Sequence, residues 1–369
     1  MWPLFSVLTQ RWTDGMIRAL QGFSRSLPDP FPLSEDPPPI TPYQMIYEAG
    51  KVRLRHYPAA GEPHATPLLM VYALLKRPFL LDLQSGHSVV ESFTRQGFEL
   101  YFVDWLPPTQ AESWCGFAAY VNGDLARAVH TVQGRTGVAR VSLFGYSFGG
   151  LLTAIYAALY PGQVKTLITL SAPVDLGVPE MALSTLLPRL YPETVDRITA
   201  IYGNYPAWLL KIGLGSVVLL QQRLDKYVAL QRNGELEDYI QVGARFHRWL
   251  QSDVPLAGQL ARELTRDLLQ KNLFAHSRLT VSGKAVNLKA ITCPVLNIVG
   301  RYDDLIPPAS SLPFAELVGS TDKRTLLFPA SHIDTVVGSA AHKKLWPRVG
   351  EWLAERSGRR RRPHRKGPR

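Results

Sequence analysis

At 369 residues, 46% hydrophobic and 19% charged, the chain is long enough for one large core, with or without an insertion, and too apolar to be disordered. Its net charge of +11 is local: residues 356–369 carry eight Lys/Arg and no acid, and subtracting these from +11 leaves about +3 for residues 1–355. The basic balance therefore describes a tail and gives no reason to expect a specific nucleic-acid partner. The two cysteines, Cys115 and Cys293, are too few for a disulfide framework and have no metal-site spacing, so reduced thiols and no metal or cofactor are expected.

In chain order, residues 1–25 place Trp2, Leu4, Phe5, Leu8 and Trp12 near helical spacing, and the opening run is too short for a secretory signal. LPDPFPLSEDPPPITP (27–42) is a proline-rich linker. VRLRHY (52–57) alternates as a strand does. From Pro67 a repeating order sets in: PLLMVY (67–72), FELYFVDW (98–105), VSLFG (141–145) and VKTLITLS (164–171) read as strands, with helices between them near 88–96, 118–136 and 150–160. Continuous apolar runs are what strands buried on both faces require. The order resumes with PVLNIVG (294–300), a helix near 309–318, TLLF (325–328) and a last helix near 343–356.

Strands alternating with helices predict an α/β fold with a mostly parallel sheet covered on both faces. The interruption, 176–288, shows helical periodicity in LDKYVALQRN, DYIQVGARFHRWL and AGQLARELTRDLLQKN, which predicts a helical cap over the site. Its most apolar stretch, Ala207–Leu220, is too short to span a bilayer and contains Lys211. The expected organisation is thus 1–42 helix and linker, 43–175 and 289–356 core, 176–288 cap and 357–369 disordered basic tail, in a cytoplasmic protein.

The chemistry centres on Gly145-Tyr146-Ser147-Phe148-Gly149. This G-x-S-x-G run lies between a strand and a helix, as a nucleophile elbow must: the serine sits on a strained turn, and the glycines let backbones approach. A serine hydroxyl needs a base. In this fold an acid and then a histidine follow the nucleophile, which makes the fold class an α/β-hydrolase. His332, just after TLLF, is placed for the base; His247 and His276 lie in the cap, His342 at the last helix and His364 in the tail. Asp303 and Asp304 both lie after PVLNIVG, where an acid could orient the histidine, and spacing alone does not separate them. Asp334 is too near His332 in sequence. The oxyanion hole is expected from the N–H of Phe148 and from Ala73 or Leu74 after PLLMVY. That loop lacks the HGGG run of many lipases.

Several long stretches carry a family likeness: ITPYQMIYEAGKVRLRHY (40–57), VYALLKRPFLLDLQ (71–84), QGFELYFVDW (96–105), SAPVDL (171–176), KNLFAHSRLTVSGKAVNLKAITCPVLNIVGRYDDLIPPASS (271–311) and HIDTVVGSAAHKK (332–344). The chain resembles polyhydroxyalkanoate synthases, most nearly the class III catalytic subunit, over about residues 40–355. The resemblance implies Asp303 as the catalytic acid, through its D-x-x-x-P match to Pro307, and His332 as the base. It also implies a 3-hydroxyacyl-coenzyme A thioester as substrate, a second subunit and association with polyester granules. In two places the sequence departs from the family: Ser147 stands where the family has a nucleophilic cysteine, and Ser331 where it usually has glycine.

Asp104 and Trp105 fall at a strand end and are expected to floor the site. Tyr72, Lys76 and Arg77 lie on or near the oxyanion loop; Lys76 or Arg77 could meet a coenzyme A phosphate, against a plain surface role. Three functions follow: acyl transfer through an acyl-serine, hydrolysis of an ester, thioester or polyester on the same scaffold, and a scaffolding relative without activity.

Overall fold

The computed structural model describes residues 37–179, 192–210, 245, 246, 248, 249 and 251–358, and everything below belongs to the unit Pro38–Arg369. The expectations for residues 1–36, for LDKYVALQRN, for most of DYIQVGARFHRWL and Ala207–Leu220, and for the tail beyond Gly358 lie outside the described residues.

The strands are β1 (Gln44–Ala49), β2 (Val52–Tyr57), β3 (Leu68–Val71), β4 (Leu100–Trp105), β5 (Val141–Tyr146), β6 (Val164–Leu170), β7 (Thr280–Val281), β8 (Lys284–Ala285), β9 (Val295–Gly300) and β10 (Lys323–Phe328). Eight form one sheet in the order β1-β2-β4-β3-β5-β6-β9-β10. β1 and β2 run antiparallel at one side, and every pairing from β4 to β10 is parallel.

The pleat explains the apolar runs. Within β3, Leu69 and Val71 point to one face, where they pack with helices α2 (Ala126–Thr136) and α3 (Phe148–Leu159). Leu68 and Met70 point to the other, against α1 (Val89–Arg95) and the C-terminal Trp346–Ser357 helix. Both faces are covered, so both parities of residue must be apolar. Local signals set the helix ends. Ser88 caps α1 by accepting from Glu91 N, and Gly137 closes α2 at φ 74, the left-handed geometry that glycine adopts without cost.

Between β6 and β9 the described segments include helices α4 (Pro192–Tyr202) and α5 (Gly258–Glu263), the latter continued by Leu264–Gln270, and a small hairpin, β7–β8. That hairpin corrects the purely helical reading of 176–288. Ser282 and Gly283 turn it at φ 51 and 74, the two positive values that a tight hairpin turn demands. The helix expected near 309–318 is two single turns, Pro308–Ser311 and Phe314–Leu317, separated where Pro313 cannot donate a helical hydrogen bond. β1 was not anticipated: QMIYEA is an outer strand, mostly half-buried or exposed, and lacks a continuous apolar run. Among the described residues no helix is long and apolar enough to cross a membrane.

Candidate active site

Ser147 joins β5 to α3 with φ 53 and ψ −124, a conformation that L-residues rarely adopt. Tight packing enforces it. A Cβ on Gly149 would stand 2.2 Å from the Val71 carbonyl oxygen, and one on Gly145 2.3 Å from Thr153 Oγ1, so both positions must be glycine for the turn to sit this close to β3 and α3. Ser147 N–H donates to Leu170 O at 2.8 Å, tying the elbow to β6. The hydroxyl makes no capping bond to the helix that it opens.

β9 and β10 are parallel neighbours with Gly300 opposite Phe328, so the loops after them emerge side by side. Asp303 and His332 lie on those loops, and His332 Nδ1 meets Asp303 Oδ2 at 2.7 Å, both residues buried. The other carboxylate oxygen accepts from Ile306 N at 2.7 Å and Leu305 N at 3.1 Å. Those two N–H groups fix the carboxylate, and the carboxylate fixes the ring: Nδ1 carries the proton and Nε2 is left as the acceptor. Of the two aspartates that spacing left open, Asp303 makes the bond. Asp334 is engaged elsewhere, accepting from Ser331 Oγ at 2.7 Å. His276 lies on an exposed turn and His342 stacks on His87 at 5.4 Å; His247 and His364 are outside the described residues.

The elbow touches the histidine through Tyr146. Its ring lies 5.1 Å from that of His332, and its hydroxyl donates to the His332 carbonyl at 3.3 Å; Thr335 Oγ1 donates to the same carbonyl at 2.7 Å. The sequence reading missed Tyr146 and Thr335: one is a variable position of the elbow motif and the other lies on a loop, and no pattern marks either.

Among the described residues, the N–H groups of Phe148, Ala73 and Leu74 are engaged in no backbone hydrogen bond. Trp105 floors this region by donating Nε1 to Tyr72 O at 3.0 Å, and Tyr72 packs on Tyr146 with ring centroids 5.5 Å apart. Asp104 is fully buried between Arg55 and Arg77. Arg77 also donates to Trp105 O at 2.7 Å, and Lys76 pairs with Asp253 at 2.8 Å. Lys76 and Arg77 thus serve internal contacts rather than standing out as phosphate-seeking cations.

The two thiols are free; burial raises the pKa of both, that of Cys293 to about 12, which keeps them protonated. Among the described residues no cluster of His, Cys, Asp or Glu is placed to hold a metal.

The class follows first. The alpha/beta hydrolase fold family matches residues 66–338, and the chain belongs to it. Solved structures agree on the fold alone: a soluble variant of monoglyceride lipase from Saccharomyces cerevisiae (TM-score 0.57, 14% identity, 90% of this chain and 99% of that one) and a putative lipase from Sulfolobus solfataricus (0.54, 16%, 85% and 93%).

Curated relatives carry the assignment further. Poly(3-hydroxyalkanoate) polymerase subunit PhaC of Haloferax mediterranei is 35% identical over 86% of this chain, that of Haloarcula marismortui 34% over 86%, and that of Allochromatium vinosum 33% over 86%. The chain spans 64%, 68% and 89% of their respective lengths. It belongs to the PhaC family of poly(3-hydroxyalkanoate) polymerase subunits.

Proposed function

We propose that this chain is a polyhydroxyalkanoate synthase-like acyltransferase that works through an acyl-serine on Ser147. The observation that carries the reading is the buried His332–Asp303 pair beside a strained serine elbow, in a chain of the PhaC family. His332 Nε2 takes the Ser147 proton as Oγ attacks the carbonyl carbon of a 3-hydroxyacyl-coenzyme A thioester. The N–H of Phe148 and that of Ala73 or Leu74 hold the oxyanion. The carbon–sulfur bond breaks, and His332 returns the proton to the departing thiolate. The hydroxyl of a second hydroxyacyl group then attacks the acyl-serine while His332 takes its proton, the acyl–Oγ bond breaks, and His332 returns the proton to Ser147 Oγ.

A second subunit and the surface of a polyester granule in the cytoplasm complete the proposal, supported by the relatives being named as subunits of a polymerase. The reaction needs no cofactor beyond the coenzyme A of its substrate. A second reading is favoured by the serine itself. An oxygen ester on Ser147 with water as second nucleophile would make the chain a hydrolase of an ester, thioester or polyester.

The test supplies 3-hydroxybutyryl-coenzyme A to the purified protein, with and without the candidate partner subunit, and follows free thiol and the acyl group. Thiol release with acyl recovered as oligomer, lost in Ser147→Ala, is the expected result. Ser147-dependent release with only free acid makes it a hydrolase, and release that survives Ser147→Ala overturns both readings.

A further inference from the structure

We propose that Trp249 and residues 251–254 of the cap position the oxyanion loop, so that Ala73 and Leu74 present their N–H groups only while the cap is docked. The inference rests on the acyl-serine reading above and deepens it.

Residues 72–77 follow β3 without forming a helix or a strand of their own. The cap grips this loop on both sides of the 73–74 pair. Before the pair, Trp249 Nε1 donates to Tyr72 Oη at 3.0 Å, with both side chains buried. After the pair, Val254 N donates to Leu75 O at 3.0 Å, Arg77 N to Ser252 O at 3.3 Å, and Lys76 Nζ pairs with Asp253 at 2.8 Å. Lys76 also lies 5.3 Å from the Trp249 ring centre, so the two grips touch each other. Ala73 and Leu74 make no backbone hydrogen bond of their own from N–H. Leu74 is buried in the core and Ala73 packs against it, so the direction of the two N–H groups is left to what holds 72 and 75–77.

An oxyanion donor acts only when it sits about 2.7–3.1 Å from the developing charge, and a misplacement of about 1 Å can cost about 10²-fold in rate. Lifting Trp249 and 251–254 removes the cap's contacts on both flanks together, leaves the core contacts of Tyr72 O with Trp105 Nε1 and of Arg77 with Trp105 O and Asp104, and lets the pair between them drift by such a distance. Hydrolysis of the acyl-serine passes through the same oxyanion as acyl transfer. Water that enters with the cap lifted thus meets an acyl-enzyme whose donors are out of place, which protects the oxygen ester between additions. Trp249, Asp253 and Lys76 are positioning residues in this scheme: none touches the reacting atoms.

The test compares single-turnover release of coenzyme A from 3-hydroxybutyryl-coenzyme A and from its dithioester analogue, whose C=S sulfur is a poor hydrogen-bond acceptor. Trp249→Phe removes the donor and keeps a ring; Asp253→Asn weakens the ion pair independently. In each, we expect the thioester rate to fall about 10- to 100-fold with KM within about twofold. The dithioester rate should change less than about twofold, so the ratio of the two rates collapses. Equal loss on both substrates in variants that melt as the wild type does, or no loss on either, overturns the proposal. Failure of the underlying reading is recognised separately and first, because wild type and Ser147→Ala would then release thiol alike.

Discussion

Ser147 carries its strain in the backbone, at φ 53, and that strain can be weighed apart from its chemistry. Ser147→Ala removes the hydroxyl and keeps the strained turn; Ser147→Gly removes both. The glycine variant is expected to be the more stable of the two by about 1 kcal/mol, the lower end of the cost of such geometry, in paired thermal melts, with neither variant releasing thiol. Asp303 makes a complementary prediction. In Asp303→Asn the backbone N–H groups of Leu305 and Ile306 still find an oxygen, so the fold stands. The side chain can then turn an amide N–H towards His332 Nδ1 and favour the tautomer whose Nε2 carries the proton. A loss of about 10⁴ in kcat with little change in melting temperature is expected. The serine elbow and the histidine paired with an acid were legible because each follows a strand in the order that the fold demands. Asp303 and Asp304 were not separable by position, since adjacent residues on a loop differ in direction and direction is set by the loop's own hydrogen bonds.

At the scale of elements, the helices with long apolar periodicity and the buried strands appear within a few residues of where pattern places them. The failures share a cause: short or outer elements carry too little apolar signal. β1 has no buried residue, being half-buried or exposed throughout, the β7–β8 hairpin has two residues on each side, and a single proline divides the 309–318 helix. The Ser282-Gly283 pair was the available clue to the hairpin. The contact between β3 and α3 offers a test of how closely elements must meet. Gly149→Ala puts a methyl 2.2 Å from the Val71 carbonyl, and backbone cannot yield as a side chain does. The variant should melt several degrees lower and lose most of its activity, because the same shift moves Phe148 N–H from the site; unchanged melting and turnover would disprove this account of the elbow.

Across the whole molecule, the site is assembled at one edge of the sheet from the ends of β3, β5, β9 and β10, and only topology brings them together. The strand-helix alternation made that topology legible, whereas the contacts of the cap were not, because side-chain pairing across distant segments leaves no local pattern. Stability as a function of pH is also a property of the whole. His342 Nε2 donates to Val336 O at 2.7 Å, and burial, aided by His87, pushes the pKa of the ring down to about 4, against the opposing effects of the Val336 carbonyl and Glu91. In the unfolded chain a histidine titrates near 6.5. Between about 4 and 6.5 the unfolded chain therefore binds a proton that the folded one refuses, and stability declines as pH falls through that window. His342→Gln, which can keep the bond to Val336 O without titrating, should show a shallower fall in melting temperature from pH 7 to 4.5.

The ends of the sheet carry one more consequence. Among the described residues, β1 and β10 are its outermost strands, and an unpaired strand is a template for another chain. β1 breaks its register with β2 between Met45 and Tyr47, and β10 opens on exposed Lys323 and Arg324. Irregular pairing at one border and like charge at the other both discourage edge-to-edge growth. Such a protein can be crowded against copies of itself without its sheets fusing into an aggregate.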